Sequence, residues 1–80
     1  MRLDKYLKVS RVIKRRTVAN DACDAGKVAV NGKIARASYD VKIGDVVEIT
    51  FGEKKIKFKI TSINETVRKD DASSMYEYVD

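Results

Sequence analysis

Seven cations crowd the first sixteen residues of the chain: Arg2, Lys5, Lys8, Arg11, Lys14, Arg15 and Arg16, against one acid, Asp4. That segment carries a net charge of +6, while residues 17–80 hold ten Lys or Arg against eleven Asp or Glu. The whole positive surplus of this 80-residue chain, +5 overall, therefore lies in its first fifth. The cations alternate with Leu3, Tyr6, Leu7, Val9, Val12 and Ile13, so one side can pack on a core while the other faces a polyanion. Positive charge gathered on one surface points to phosphate as the partner. Arginine grips phosphate with paired N–H donors, and lysine adds a less directional charge.

Other chemistry has little to stand on. Histidine is absent, which removes the usual general base near neutral pH and the commonest metal ligand. The lone Cys23 reads as a small apolar core residue on a helix and not as a nucleophile. Asp21 with Asp24, and Asp70 with Asp71, are ordinary surface acids. No catalysis, cofactor or metal is expected. No apolar run approaches the roughly 20 residues of a membrane span, and a single cysteine fits a reducing, cytoplasmic setting.

The cations need elements that hold them together. Leu3, Tyr6 and Leu7 share one face of a helix predicted over residues 2–9, on which Asp4 and Lys8 form an i, i+4 pair. Basic residues at 2, 5, 8, 11 and 14 drift by about 60° per step on a helix of 3.6 residues per turn. One unbroken helix would wind them around its axis, so a bend is expected at Val9-Ser10. Thr17 is the expected N-cap of a second helix, with Asp21 near its first turn. Lys14-Arg15-Arg16 would then sit just before free helix amides, a credible phosphate site. Val18, Ala19, Ala22 and Cys23 make the apolar face of that helix, and Gly26 stops it.

From Lys27 the apolar period changes from helical to two. Val28 and Val30, the turn Asn31-Gly32 and Ile34 predict a hairpin of type I′. That turn accounts for Asn31-Gly32 by itself, although a tip beside a basic helix also brings Lys27, Lys33 and Arg36 within reach of a phosphate backbone. Val46–Phe51 and a strand through Ile56, Phe58 and Ile60 follow, with Lys57 and Lys59 on the opposite, solvated face. Residues 64–80 read as a tail: a solvated linker over 69–74, then Met75, Tyr76, Tyr78 and Val79 as a short docked helix, a partner-binding end or a frayed terminus. The expectation is one α+β domain over residues 1–63, with short amino-terminal helices packed on a small, mainly antiparallel, twisted sheet. Two other uses of this pattern stay open: a helix–bend–helix in a DNA major groove, and an interaction module whose basic face is incidental.

Arg2-Leu3-Asp4-Lys5-Tyr6-Leu7, Arg11, Lys14-Arg15-Arg16-Thr17, Ala25 to Gly32 and Val41 to Val47 together resemble, in order and spacing, the RNA-binding domain of the ribosomal protein S-four family. This module is also called the alpha-L RNA-binding motif, and the resemblance covers residues 1–51 or so. It implies that Arg2, Lys5, Arg11, Lys14, Arg15, Arg16 and Thr17 contact RNA phosphate and sugar, with Lys8, Lys27 and Lys33 as further cations of the face. For Asp4 three roles stay open: partner of Lys8, acceptor for a ribose hydroxyl or base edge, or a group that orients Arg2 or Arg11. Such domains also occur on pseudouridine synthases and tyrosyl-tRNA synthetases; here the module fills nearly the whole chain, so no enzyme is expected. Among stand-alone members, the opening residues 1–11 and Met75-Tyr76 resemble those of ribosome-associated quality control. That likeness implies binding to large ribosomal subunits that still carry peptidyl-tRNA, through large-subunit rRNA and the tRNA together. It also implies a protein partner that recruits charged tRNA while untemplated residues are added, and a monomer off the ribosome. A general rRNA-binding recycling or assembly factor is the alternative within the family.

Overall fold

The computed structural model describes residues 1–64 and 75–79. Two helices, α1 (Leu3–Val9) and α2 (Arg16–Asp24), precede five strands: β1 (Val28–Val30), β2 (Lys33–Ile34), β3 (Val46–Phe51), β4 (Lys54–Ile60) and β5 (Tyr76–Tyr78). The strands form one antiparallel sheet in the order β2-β1-β3-β4-β5, so the α+β expectation holds. Leu3, Tyr6 and Leu7 of α1 and Ala19 and Cys23 of α2 share one core with Val28, Val30, Val47, Ile49, Phe58 and Ile60 of the sheet. Alternation along β4 sends Phe58 and Ile60 to that core and leaves Lys57 and Lys59 in solvent. No described helix is long and apolar enough to cross a membrane.

The turns follow their residue types. Asn31 and Gly32 both have positive φ, at 52° and 85°, and connect the paired Val30 and Lys33, as a type I′ hairpin requires. Gly26, also left-handed, closes α2: its N–H donates to Cys23 O at 3.0 Å, and the Lys27 N–H donates to Ala22 O at 3.0 Å. These two bonds satisfy carbonyls that the helix end would otherwise leave open. Cys23 is buried, and burial, followed by the charges of Asp4 and Asp24, pushes its thiol up to about 11. It packs and stays protonated at neutral pH.

Four local expectations give way to tertiary contacts. The N-cap of α2 is Arg15, in extended conformation, and Thr17 lies inside the first turn, with no acid in that turn. Starting the helix at Arg16 puts Arg16 and Asn20 one turn apart, on the face that meets Asp4. Residues 10–15 form an irregular turn between the helices, and Ile13 plugs the core there, 5% exposed, with its N–H donating to Leu7 O at 3.1 Å. Val18 is 48% exposed, and α2 buries only Ala19 and Cys23.

At the other end, where a short helix, a partner-binding end and a frayed terminus were all open, residues 76–78 form a strand. Three backbone pairs align β5 with β4, and the Val79 N–H donates to Lys57 O at 3.0 Å. Met75 is fully buried, and its carbonyl accepts the Tyr6 hydroxyl at 2.7 Å and the Thr61 N–H at 2.9 Å. The backbone edge of β4 needs partners, and this segment supplies them. The linker expected over 69–74 lies outside the described residues.

Candidate nucleic-acid interface

The candidate interface begins at the amino end of α1. The N–H groups of Leu3 and Asp4 donate to the carbonyls of Tyr39 and Ala37, at 2.7 and 3.2 Å. Backbone from the 35–41 segment thus satisfies first-turn amides that no side chain caps. This docking fixes Arg2 beside Asp40 as a single antiparallel bridge.

Asp4 is the organising group. It is 2% exposed and takes donors on both oxygens. Oδ1 accepts the Lys5 N–H at 2.8 Å and Arg2 Nε at 3.2 Å; Oδ2 accepts Asn20 Nδ2 at 3.2 Å and Arg2 Nη2 at 3.4 Å. Arg16 Nε stands 3.4 Å from Oδ2. Burial by itself would raise the carboxyl's pKa, but the bonds from Asn20, Arg16 and the Lys5 amide outweigh it and hold the carboxyl below its ordinary value. One buried carboxylate therefore ties α1 to α2 and holds two guanidinium groups, each about half exposed, side by side.

Of the roles open to Asp4, orienting Arg2 is the one the geometry carries, with Arg16 in place of Arg11 as the second arginine. Lys8 is exposed on α1, and the bonds on Asp4 come from other residues. Asn20 is the participant that sequence reasoning missed. Its signal was available in the i, i+4 spacing from Arg16, but only the packing of α2 on α1 gives that spacing a target.

The remaining cations are distributed unevenly. Arg11, Lys14 and Arg15 are exposed along the turn that leads to α2. No side chain caps that helix, so its first-turn amides face solvent or an anion. Lys5 is half-buried on α1. Thr17 lines the same small hollow as Asp4, Arg16 and Asn20. Lys27 and Lys33 lie elsewhere: Lys27 lines a groove with Val18 and Phe51, and Lys33 lines another with Arg36 and Tyr39. Tyr6, a possible base-stacking residue by type, is fully buried, and burial drives its phenol pKa upward. It belongs to the core.

Arg11 adopts φ 63° just after the Ser10 cap of α1, the left-handed position where glycine is strongly favoured. An arginine there costs roughly 1 kcal/mol. Arg11→Gly should therefore hold or raise the thermal midpoint while weakening RNA binding, measured by melting and by filter binding. A drop in both would show that the side chain supports the fold instead.

A second buried acid organises the hairpin side. Asp45 accepts Asn31 Nδ2 at 3.0 Å on one oxygen, and the Tyr39 hydroxyl and Lys42 N–H, each at 2.9 Å, on the other. Asn31 Oδ1 accepts the Val46 N–H at 3.0 Å. Asn31 thus locks the hairpin tip to the next loop as well as making the turn. On the solvated sheet face, by contrast, the lysines are balanced: Lys57 lies opposite Glu48, Lys59 opposite Glu77, and Lys55 Nζ is 3.6 Å from Glu48.

Residues 1–47, more than half of the chain, match the S4 domain. The chain belongs to the S4 domain family. Within it, a Halalkalibacterium halodurans protein named RQC P-site tRNA stabilizing factor is 54% identical over 77 residues, 96% of this chain and 88% of its own length. A Streptococcus pneumoniae protein of the same name is 52% identical over 79 residues, covering 99% and 90%. Among solved structures, the trimeric structure of Vibrio cholerae Heat Shock Protein 15 superposes with a TM-score of 0.91 at 31% identity, covering 99% of this chain and 81% of that one. In S4 terms, the matched segment contains both helices, the docking segment 35–41 and the Asn31–Asp45 lock, and it ends at Val47 in β3. The pairing of β4 with β5 lies beyond it.

Proposed function

We propose that this S4 protein binds large ribosomal subunits that carry peptidyl-tRNA, contacting rRNA and tRNA together. There it supports elongation of the nascent-chain tail in ribosome-associated quality control. The observation that carries the reading is the Asp4-centred clamp, which holds Arg2 and Arg16 together as a half-exposed pair. Paired guanidinium groups match the oxygen spacing of phosphates, and holding them in advance lowers the ordering cost of binding. Arg11, Lys14, Arg15 and Thr17 extend the contact along the turn into α2, and Lys5 and Lys8 along α1. The relatives named for stabilizing P-site tRNA support the choice of RNA.

The protein is a binding factor without a catalytic step. It works in the cytoplasm, as a monomer off the ribosome, beside a partner that recruits charged tRNA. The second reading is a general rRNA-binding recycling or assembly factor, which would bind without tRNA. Gradient sedimentation separates the two. The protein should travel with large subunits that carry peptidyl-tRNA and leave them when puromycin releases the nascent chain. Retention on empty subunits would favour the second reading, and a protein left at the top of the gradient would overturn both.

Salt provides an independent check. With four or five cations on phosphates, log K should fall against log salt with a slope of about −3 to −4.5. A slope near zero would be incompatible with this interface.

A further inference from the structure

Beside the β1–β2 hairpin lies a groove of about 690 Å³, walled by Asn31, Lys33, Ile34, Arg36 and Tyr39 among others. Its size falls within the roughly 300–1,000 Å³ of ordinary ligand sites. Its walls are of two kinds. Lys33 and Arg36 are exposed cations. Ile34 stands 66% exposed, a large apolar side chain in water, and Tyr39 is half-buried. The Tyr39 hydroxyl donates to Asp45 Oδ2 at 2.9 Å, so the ring is held in place. Among the described residues no carboxylate lines the groove; Asp45 is buried and spends its oxygens on Asn31, Tyr39 and the Lys42 amide.

The position of this groove matters as much as its lining. Its wall continues into the carbonyls of Ala37 and Tyr39, which bind the Asp4 and Leu3 amides. The groove is therefore tied to the backbone that carries Arg2 and Asp4. That backbone link is the connection between this hollow and the segment that carries Arg2 and Asp4.

An apolar and aromatic wall beside two cations suits a base that has left its stack, with its phosphate on the cations. A paired helix has no base to offer, and an apolar peptide would leave Lys33 and Arg36 without counter-charges. We infer that this groove takes one unpaired nucleotide of the bound RNA, which makes the protein a reader of RNA shape as well as charge. The inference rests on the RNA-binding reading above.

The test uses the full chain and two RNA stems with equal numbers of nucleotides, one fully paired and one with a single bulged 5-iodouridine. Wild type should bind the bulged stem at least about fivefold more tightly, in line with the worth of one stacked base. Arg36→Ala and Ile34→Ser, both at exposed positions, should abolish that preference and leave binding of the paired stem within about twofold. Irradiation should attach the iodouridine to the peptide spanning residues 37–42, which contains Tyr39. Equal binding of the two stems by wild type would overturn the inference, as would a crosslink confined to residues 76–78. If an acidic peptide bound there in an Arg36-dependent way while the bulge gave no preference, the groove would belong to a protein partner. Failure of wild type to bind either stem would overturn the RNA-binding reading itself, and this inference with it.

Discussion

Asp4→Asn should destabilise the protein by about 2 kcal/mol at neutral pH and weaken RNA binding, although it raises the net positive charge by one. The stability loss follows from what the carboxylate accepts: a side-chain amide cannot serve the Lys5 amide, Asn20 and two guanidinium groups at once. Breaking a fully buried ion pair costs about 3–5 kcal/mol; half-exposed arginines recover some hydration, so the expected figure is smaller. The binding loss follows because Arg2 and Arg16 are no longer held as a pair. A surface working by net charge alone would instead bind more tightly, so the sign of the change decides between the two ideas.

The pH dependence of that variant has a definite sign. Asp4 is held below its ordinary value of 3.8 in the folded protein, so the folded state binds fewer protons there than the unfolded state. The stabilisation from its ionised form is present above pH 3.8 and is lost as pH falls through the lower folded value. Unfolding in urea at a series of pH values should therefore show wild type and Asp4→Asn converging below about pH 4. Asp45, also held low by the Lys42 amide, Asn31 and Tyr39 against the effect of burial, adds acid sensitivity in the same window to both proteins. A gap that persisted undiminished at pH 3 would mean that shape, and not charge, is what Asp4 contributes.

Arg16→Ala should lower RNA affinity tenfold or more, given roughly 1.5–3 kcal/mol for a hydrogen bond to a charged group. The salt slope should fall by about one. Lys57→Ala should change affinity by less than about twofold, because Lys57 faces Glu48 on the balanced side of the sheet. Lys57 is exposed, and without Arg16 the buried Asp4 still keeps Arg2, Asn20 and the Lys5 amide, so neither variant should unfold. Equal losses in the two would mean that RNA reads the overall charge of the molecule, and the clamp would lose its role.

Local chemistry was legible in the sequence wherever a residue's own backbone preference decided the outcome. Asn31-Gly32 can close a two-residue hairpin because both accept positive φ, Gly26 ends α2 for the same reason, and alternation marks β4 as one-sided. The concentration of cations in residues 1–16 was equally plain. The start of α2 was misplaced because the capping preference of Thr17 is worth only about 1 kcal/mol. The contacts of Arg16 and Asn20 with Asp4 compete with that preference, and the helix starts where they can form. Tyr76–Tyr78 looked helical or frayed because short aromatic segments take whichever backbone their neighbours offer; here the open edge of β4 offered a strand.

By itself, then, the sequence determined that this is a small α+β domain with one basic end, and the order of its motifs named the S4 family. Only the tertiary structure decided which cations act together. Spacing along a chain fixes faces of a helix, but a carboxylate shared by Arg2, Arg16 and Asn20 exists only once two helices meet. Its burial strengthens each of those contacts beyond what water would allow. The groove walled by Lys33, Arg36 and Tyr39 has the same origin: a hairpin and a loop that pack together, tied to α1 by two backbone carbonyls.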